Sequence, residues 1–293
     1  MKRFASTPNR NRRLSIGGML IERRLFHGLI SQLKPQTAAK PILMSQTHKT
    51  QPRNPRRALP GASALGGLHP VAIRSTIPDY LERYYWWAYL RPASLRIFDH
   101  PAVVSAILWG QYRRLSDAVL AEIAPGSRVL QLACVYGDLT PRLVDHLGPR
   151  GRLAVVDAAP IQVENLAAKL GADPRITLTV GDAATPGAGH YDAVVCFFLL
   201  HELPDDHKQR VVDAALDRLA PGGRAIFVDY ARPRRWHPLR PVMALVFRLL
   251  EPFAAEMWRR PVRSFASVPG RAKWRERRLL GGLYQIVVAE RAD

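Results

Sequence analysis

The chain has 293 residues, of which 47% are hydrophobic, and this is enough for one large domain with a substantial core. Its formal net charge of +19 suggests a nucleic-acid partner, but the positive charge is concentrated in residues 1–70 and 231–278. The two cysteines have neither metal-ligand spacing nor a disulfide pattern, and no stretch of about 20 uncharged apolar residues predicts a membrane-spanning helix. We therefore expect a protein that is soluble or lies on a membrane surface.

Residues 1–70 contain thirteen lysines and arginines against a single acid, Glu22, together with many Ser, Gln, Pro and Thr residues. This composition predicts disorder. An arginine-rich, acid-poor N-terminus is also typical of an organelle transit peptide. Two alternatives remain open: a basic tail, or a start codon assigned too early, with Met19 or Met44 as later starts.

Residues 77–115 are rich in aromatic side chains and begin with the sequence IPDYLERYYWWAYL. Tyr80, Tyr84 and Trp87 recur at helical spacing. A proline can open this helix at residue 78, and the proline at residue 92 is expected to end it. The aromatic side chains either pack as a helical layer into the core or form the wall of a pocket for a flat apolar ring, and the two interpretations are compatible.

The sequence from residue 116 onwards alternates between helical and strand patterns, with Gly and Pro at the breaks. The predicted strands are Arg128–Leu132, Arg152–Asp157, Ile176–Val180, Tyr191–Phe198 and Arg224–Tyr230. The predicted helices are Ser116–Ile123, Pro141–Leu147, Ile161–Leu170 and Asp205–Leu219. Alternation of this kind predicts an α/β fold with a doubly wound, mostly parallel sheet.

Residues 231–272 interrupt this alternation. They begin with the basic sequence RPRRWHPLRP, continue with an apolar stretch, Val242–Trp258, that a proline breaks, and end in a second basic run. We interpret the segment as a basic, apolar helical insertion. Lys273–Leu280 and Leu283–Glu290 then predict a closing hairpin around a tight Gly-Gly turn.

The stretch Val129–Thr140, VLQLACVYGDLT, predicts a strand, a tight loop and the start of a helix at the nucleotide-binding edge of the sheet. It resembles the cofactor loop of class I S-adenosylmethionine-dependent methyltransferases, which implies a Rossmann-like, seven-stranded, mostly parallel sheet with an antiparallel last strand. Compared with the usual loop, Gln131 stands where an acid is found, and Ala133 and Val135 stand where glycines are found. The glycine at Gly137 is retained. The loop is either decayed in a protein that no longer binds the cofactor, or retuned to hold it in a different pose. In the second case Tyr136 and Asp138 are candidate catalytic contacts.

Two further acids follow predicted strands. Asp157 lies 20 positions after Gly137, where a carboxylate accepts hydrogen bonds from the ribose hydroxyls; a plain helix cap is the alternative. Asp182 and Ala183 match the adenine end of such sites, although turn chemistry alone also explains Gly-Asp. The predicted cofactor-binding residues are therefore Gln131, Ala133, Val135, Gly137, Asp157, Asp182, Ala183 and Phe198.

Polar residues also follow the apolar run FFLL, at the carboxyl end of a predicted strand. His201 is a candidate catalytic acid or base. Glu202, together with Asp229 at the end of the next predicted strand, is a candidate ligand of a divalent metal. The alternatives are a pocket-lining loop with a solvated Glu202, and a strand-end cap at Asp229.

Four segments resemble the RquA family of rhodoquinone-biosynthesis proteins: YYWWAYLRPASLRIFDH, LACVYGDLT, CFFLLHELPDDHKQRVVDAALDRLAPGGRAIFVDY and GGLYQIVV. The resemblance covers residues 77–290. It implies conversion of ubiquinone to rhodoquinone, in which an amino group replaces a ring methoxy group, S-adenosylmethionine supplies the nitrogen and manganese(II) assists.

The resemblance also implies a lipid substrate. The arginines that flank Val242–Trp258 suit an anionic membrane surface. We expect a peripheral protein on the inner membrane face of a bacterium, or in the mitochondrial matrix of a eukaryote, without a nucleic-acid partner. The competing interpretations are an ordinary methyltransferase of quinones or other small apolar rings, and a non-enzymatic basic protein that binds RNA or membranes.

Overall fold

Eight strands form one sheet in the computed structural model, which describes residues 71–73 and 77–291. The expectations for residues 1–70, namely disorder, a transit peptide, a tail or a late start, lie outside the described residues. The strands are β1 (Val71–Ile73), β2 (Arg128–Leu132), β3 (Arg152–Asp157), β4 (Ile176–Val180), β5 (Tyr191–Phe197), β6 (Leu219–Tyr230), β7 (Ala272–Leu279) and β8 (Tyr284–Arg291).

The strand order is β1-β4-β3-β2-β5-β6-β8-β7, with β1 to β6 paired in parallel and β8 antiparallel to both of its neighbours. The predicted mostly parallel sheet with an antiparallel last strand is confirmed. The described sheet has one strand more than the seven expected, because β1 adds three residues beside β4. A strand this short has no periodic pattern by which the sequence could predict it.

The helices are α1 (Trp86–Tyr89), α2 (Pro92–Phe98), α3 (Pro101–Ile107), α4 (Tyr112–Leu120), α5 (Leu139–Leu147), α6 (Pro160–Leu170), α7 (Asp205–Asp217) and α8 (Arg240–Leu249). A π-helical turn, Leu81–Tyr85, precedes α1. The central strands are buried along most of their length, as in parallel sheets covered by helices on both faces. This burial explains why their sequences are almost continuously apolar.

Two boundaries differ from the sequence prediction and one is confirmed. The first helix ends before Pro92, as predicted, and Pro92 also begins α2, because proline fits the first turn of a helix. The loop predicted to separate α7 from β6 is instead part of β6, where a bulge shifts the register between Tyr191 and Ala193 of β5. The closing hairpin has a four-residue connection, since Leu279 pairs with Tyr284, so the tight two-residue turn is wrong.

The insertion between β6 and β7 contains α8 and three short 3₁₀ turns, Ala254–Trp258, Val262–Phe265 and Pro269–Arg271. On α8, the side chains of Met243 and Phe247 are buried, whereas those of Leu245 and Leu249 are exposed. Among residues 71–73 and 77–291, no helix has the length and apolar character needed to cross a membrane.

Candidate functional site

A narrow cavity lies at the carboxyl ends of β2, β3 and β5, where ligands bind in doubly wound sheets. It is lined by Tyr80, Leu81, Tyr89, Ala133, Cys134, Val156, Asp157, Ala158, Ala159, Ala183, Phe198, Leu199 and Glu202. Its volume of about 50 Å³ is far below the roughly 300–1,000 Å³ of typical ligand pockets. The cavity in this structure is therefore too small to hold a nucleoside.

Asp157 is buried at the end of β3, as its position in the sequence predicted. One carboxylate oxygen accepts from the Cys134 amide over 2.6 Å, and the other accepts from the Ala159 amide over 2.8 Å. Burial raises the pKa of Asp157 to about 6, although these hydrogen bonds act in the opposite direction. Each oxygen keeps a lone pair, so the carboxylate can still accept from a pair of ribose hydroxyls.

Asp182 lies after β4 and is held by two donors. Its Oδ1 accepts from the Ala184 amide and from His207 Nε2, each over 2.8 Å. Arg210 in turn lies 2.8 Å from His207 Nδ1, and because arginine can only donate, the ring hydrogen of His207 is on Nε2. Burial alone would raise the pKa of Asp182, but the hydrogen bond from His207 and the neighbouring amide outweigh it and lower the pKa. The second oxygen, Oδ2, remains available to an adenine amino group.

Gln131 is fully buried and does not line the cavity. Its amide nitrogen donates to the Ala133 carbonyl over 3.0 Å and contacts the Thr140 hydroxyl over 2.9 Å. Gln131 therefore ties the loop to the start of α5. Ala133 does line the cavity and has a φ of +77°, a left-handed conformation that glycine adopts without cost.

Three consecutive amides at the start of α5 and just before it are engaged within the protein. The Gly137 amide donates to Asp99 Oδ1 over 3.0 Å. The amides of Asp138 and Leu139 donate to the Tyr112 hydroxyl over 2.7 and 2.8 Å. Gly137 is needed here, because its φ is +92° and a Cβ atom would lie 2.6 Å from that hydroxyl. The helix N-terminus, an anion-binding position in many nucleotide sites, is thus capped by this chain's own side chains.

The remaining loop candidates lie outside the cavity lining. Asp138 faces Arg113, with 3.3 Å between Oδ2 and Nη1. The Tyr136 hydroxyl donates to the Ala88 carbonyl over 2.6 Å, and its ring stacks on Tyr89 with the centroids 5.5 Å apart. Neither Tyr136 nor Asp138, nor Val135 between β2 and α5, reaches the space beside Asp157.

The aromatic segment closes the cavity, as one of its two sequence interpretations predicted. Tyr80 and Tyr89 line the space directly, and the Tyr89 hydroxyl donates a short hydrogen bond to Glu202 Oε1. Phe198 forms the opposite wall with a φ of +51°, which is a strained conformation for a phenylalanine. The cavity therefore presents aromatic faces beside one carboxyl group.

His201 lies among three acids beneath this wall. Its Nδ1 is 3.0 Å from Asp229 Oδ1, without hydrogen-bonding alignment, and its Nε2 is 3.8 Å from both Glu202 and Glu251. Burial would lower the pKa of His201, but the charges of Asp229 and Glu251 outweigh it and raise the pKa to about 9. Burial raises the pKa of Glu202 to about 8 despite the nearby charge of His201. Glu202 is therefore mainly protonated at neutral pH.

The predicted metal ligands do not form a metal site. Asp229 accepts from the amides of His201 and Tyr230 over 3.1 and 2.7 Å, and these bonds hold its carboxylate at the end of β6. Within residues 71–73 and 77–291, no group of three or more His, Cys, Asp or Glu side chains is arranged to hold a metal ion. The expectation of manganese has no support in this geometry.

Sequence reasoning missed Glu251 and Lys208. Glu251 comes from the insertion, where its one signal is an acid directly before the proline that breaks an apolar run. Lys208 is fully buried on α7 and donates to the carbonyls of Leu203 and Phe253 over 2.6 and 3.1 Å. Burial lowers its pKa. Lys208 and Glu251 together attach the insertion to the site.

Solved structures similar to this chain are class I methyltransferases in fold. Human N-acetylserotonin methyltransferase, solved with S-adenosylmethionine, aligns with a TM-score of 0.51 at 15% identity and covers 73% of this chain and 63% of its own. A possible exported protein of Bordetella parapertussis aligns with a TM-score of 0.52 at 20% identity, covering 69% and 74% of the two chains. At these identities the likeness concerns the fold, which is that of class I S-adenosylmethionine-dependent methyltransferases.

Sequence similarity identifies more particular relatives. Residues 129–223 match the protein family described as Methyltransferase domain. The ubiquinone/menaquinone biosynthesis C-methyltransferase UbiE of Ectopseudomonas mendocina is 28% identical over 124 residues, which cover 39% of this chain and 46% of that protein. The ubiquinone biosynthesis O-methyltransferase of Xanthomonas campestris is 32% identical over 113 residues, covering 36% and 45%. Residues 129–223 are thus similar to a methyltransferase domain, and the chain spans about half the length of the curated relatives it matches.

Proposed function

We propose that this chain converts ubiquinone to rhodoquinone, replacing a ring methoxy group by an amino group whose nitrogen comes from S-adenosylmethionine. An ordinary methyltransferase acting on a quinone or another small apolar ring is the second candidate, favoured by the relatives in ubiquinone biosynthesis. The two candidates share the cavity and differ in which part of the cofactor reacts. The observation that carries our choice is the capping of α5 by Asp99 and Tyr112.

The capping bears on how the methionine end of the cofactor is held. With three amides at the start of α5 engaged, the cofactor's carboxylate cannot bind these amides without displacing Asp99 or Tyr112. Asp157 and Asp182 meanwhile keep acceptors for the adenosine end. A cofactor anchored by its adenosine half and released at its methionine half can direct the α-amino group, rather than the sulfonium methyl, at an acceptor. The nitrogen would bond to the ring carbon as the methoxy group leaves as methanol. The N–Cα bond would then break after tautomerisation to a ketimine, in which the quinone ring takes up two electrons, and hydrolysis by water would release the aminohydroquinone and a 2-oxo acid.

The cavity walls suit a quinone ring. Tyr80, Tyr89 and Phe198 offer flat apolar faces. A protonated Glu202 can donate a hydrogen bond to a quinone carbonyl, which makes the ring carbons more susceptible to attack by an amine. Because ubiquinone carries an isoprenoid tail, the chain would work at a membrane surface, on the inner face in a bacterium or from the matrix side in a mitochondrion.

Isotope labelling tests the proposal. The full chain is incubated with a short-tailed ubiquinone and with S-adenosylmethionine carrying ¹⁵N in the α-amino group and ¹³C in the methyl group. We expect a quinone that has lost one methoxy group and gained ¹⁵N. A product that carries ¹³C, formed with an equal amount of S-adenosylhomocysteine, would instead identify a methyltransferase and refute amino transfer.

Two variants serve as controls for this assay. Asp157→Ala should abolish either reaction, whereas Glu164→Gln, on the exposed side of α6, should leave the rate unchanged. Parallel reactions with added manganese(II) and with a chelator establish whether the metal takes part. Failure of the wild-type chain to bind S-adenosylhomocysteine would favour a decayed loop over both enzymatic candidates.

A further inference from the structure

A second and larger cavity lies on the insertion side of the sheet. It has a volume of about 690 Å³ and shares no lining residue with the narrow cavity beside Asp157. Its lining includes five arginines: Arg232, Arg234, Arg259, Arg260 and Arg278. We call this feature the arginine groove. Guanidinium groups converging on one concave space are the arrangement that binds phosphate groups.

The groove is assembled from three segments, and a backbone hydrogen bond joins two of them. The Arg234 amide donates to the Gly281 carbonyl over 3.0 Å, which joins the segment after β6 to the hairpin loop. Gly281 has a φ of +60°, and a Cβ atom there would lie 2.4 Å from the His237 ring, so the two segments touch directly. Arg260, from the third segment, donates to the Ser264 carbonyl over 2.8 Å and lies over the Phe265 ring.

The groove carries an excess of positive charge. Arg259 pairs with Glu256 and Arg278 pairs with Glu276. Within residues 71–73 and 77–291, the remaining three arginines of the groove have no acidic partner within salt-bridge distance. Three uncompensated guanidinium groups around a single space favour an anionic ligand with several acceptor oxygens.

Exposed apolar side chains accompany the groove. Trp236 follows Arg234 by two residues and is 86% exposed, with the Arg235 guanidinium 5.3 Å from its ring. Leu245 and Leu249 are 54% and 60% exposed on α8, one helical turn apart. Tryptophan beside arginine is typical of protein segments that lie in the headgroup layer of a bilayer.

We propose that the arginine groove binds the phosphate of an anionic phospholipid, while Trp236 enters the headgroup layer of the same bilayer. A lipid bilayer has both phosphate groups at its surface and an apolar interior. It therefore matches both the arginines and the exposed tryptophan. The proposal extends the proposed function, because binding through the groove would bring the chain to the bilayer in which its quinone substrate is dissolved. It does not require that the reaction be amino transfer.

Vesicle binding tests the proposal with the full chain and without quinone or cofactor, so that its outcome is independent of turnover. The probes are phosphatidylcholine vesicles with and without phosphatidylglycerol. The double variant Arg232→Gln/Arg234→Gln is compared with Arg96→Gln/Arg150→Gln, which removes the same charge from exposed positions elsewhere. At about 1 kcal/mol per arginine near the surface, the groove variant should bind phosphatidylglycerol vesicles about 30-fold more weakly, and the control variant within about twofold of wild type.

Two further measurements separate the possible results. Trp236→Ala should reduce vesicle binding while leaving thermal unfolding unchanged, as expected of a side chain that touches little protein. Equal losses in the groove and control variants would mean diffuse attraction and would overturn the proposal. Calorimetric binding of inorganic phosphate that the groove variant abolishes, together with unchanged vesicle binding, would identify a soluble phosphate ligand and would also overturn it.

Discussion

Replacement of His207 by leucine should weaken binding of S-adenosylhomocysteine about five- to tenfold. His207 supplies one of the two hydrogen bonds that hold Asp182 Oδ1, over 2.8 Å. A hydrogen bond to a charged group contributes about 1.5–3 kcal/mol, but the Asp182 side chain is 26% exposed and water replaces part of the loss. We therefore expect a cost of about 1–1.4 kcal/mol, which corresponds to the stated factor.

Two companion variants sharpen this expectation. His207→Gln keeps a donor for Asp182 and an acceptor for Arg210, so affinity should return to within about threefold of wild type. Arg210→Met leaves the imidazole in place but removes the group that selects its tautomer. If both tautomers then become equally populated, half of the molecules lose the donor, and affinity should fall only about twofold.

Calorimetric titration with two ligands provides the assay. S-inosylhomocysteine carries an oxygen where adenine has its amino group, so its binding should depend less on the Asp182 acceptor. We expect His207→Leu to reduce the preference for S-adenosylhomocysteine over S-inosylhomocysteine. Equal affinity losses for the two ligands, or failure of His207→Gln to recover affinity while its thermal unfolding matches wild type, would refute the reasoning.

Three other predictions concern the ribose acid and the cofactor loop. Because burial raises the pKa of Asp157 to about 6, protonation below that pH removes a charged acceptor, and affinity for S-adenosylhomocysteine should fall about fivefold between about pH 7.5 and about pH 5. Tyr112→Phe should lower the free energy of unfolding by about 1–2 kcal/mol in urea titration, since two amides of α5 lose their acceptor. Gln131→Glu, which restores the usual acid, should destabilise the fold by about 2–3 kcal/mol, because the Ala133 carbonyl loses its donor and faces a buried carboxyl group.

Matched variants distinguish these effects from general damage. Asp157→Asn should bind more weakly but without the change near pH 6, and a retained pH dependence would assign it to another group. Tyr284→Phe is the control for Tyr112→Phe, since the buried Tyr284 hydroxyl has no hydrogen-bond partner among the described residues and its removal should cost nothing. Gln209→Glu makes the same chemical change at the surface; if Gln131→Glu is equally harmless, Gln131 does not hold the loop.

The fold was predictable because buried strands and their direction along the chain produce local patterns of apolar and polar residues in the sequence. β2, β3 and β5 are buried along most of their length, so each appears as a short, mostly apolar run, and β3 ends in Asp157 at the ligand edge. Asp157 and Phe198 were accessible to the same reasoning, because strand ends determine which residues meet in the crevice.

The rest of the site depends on contacts between segments far apart in the sequence. Tyr112 precedes the helix that it caps by 27 residues, and Glu251 approaches His201 from the insertion. No periodic pattern records such contacts. Gln131 lies in β2 at the start of the predicted cofactor motif, but its side chain is buried against Ala133 and Thr140 and does not line the cavity. Sequence identifies which segment borders a site more readily than which side chain faces it.

Lys208 connects the insertion to the helix that follows the candidate site. Its ammonium group, buried on α7, is satisfied in part by the Phe253 carbonyl, two residues after the Glu251 that approaches His201. Excision of residues 232–278 would leave a buried cation without that acceptor and would remove an acid from the site in the same step. The segment that carries the arginine groove therefore also supports the residues around His201, and a displacement of this segment would move Phe253 and Glu251 together.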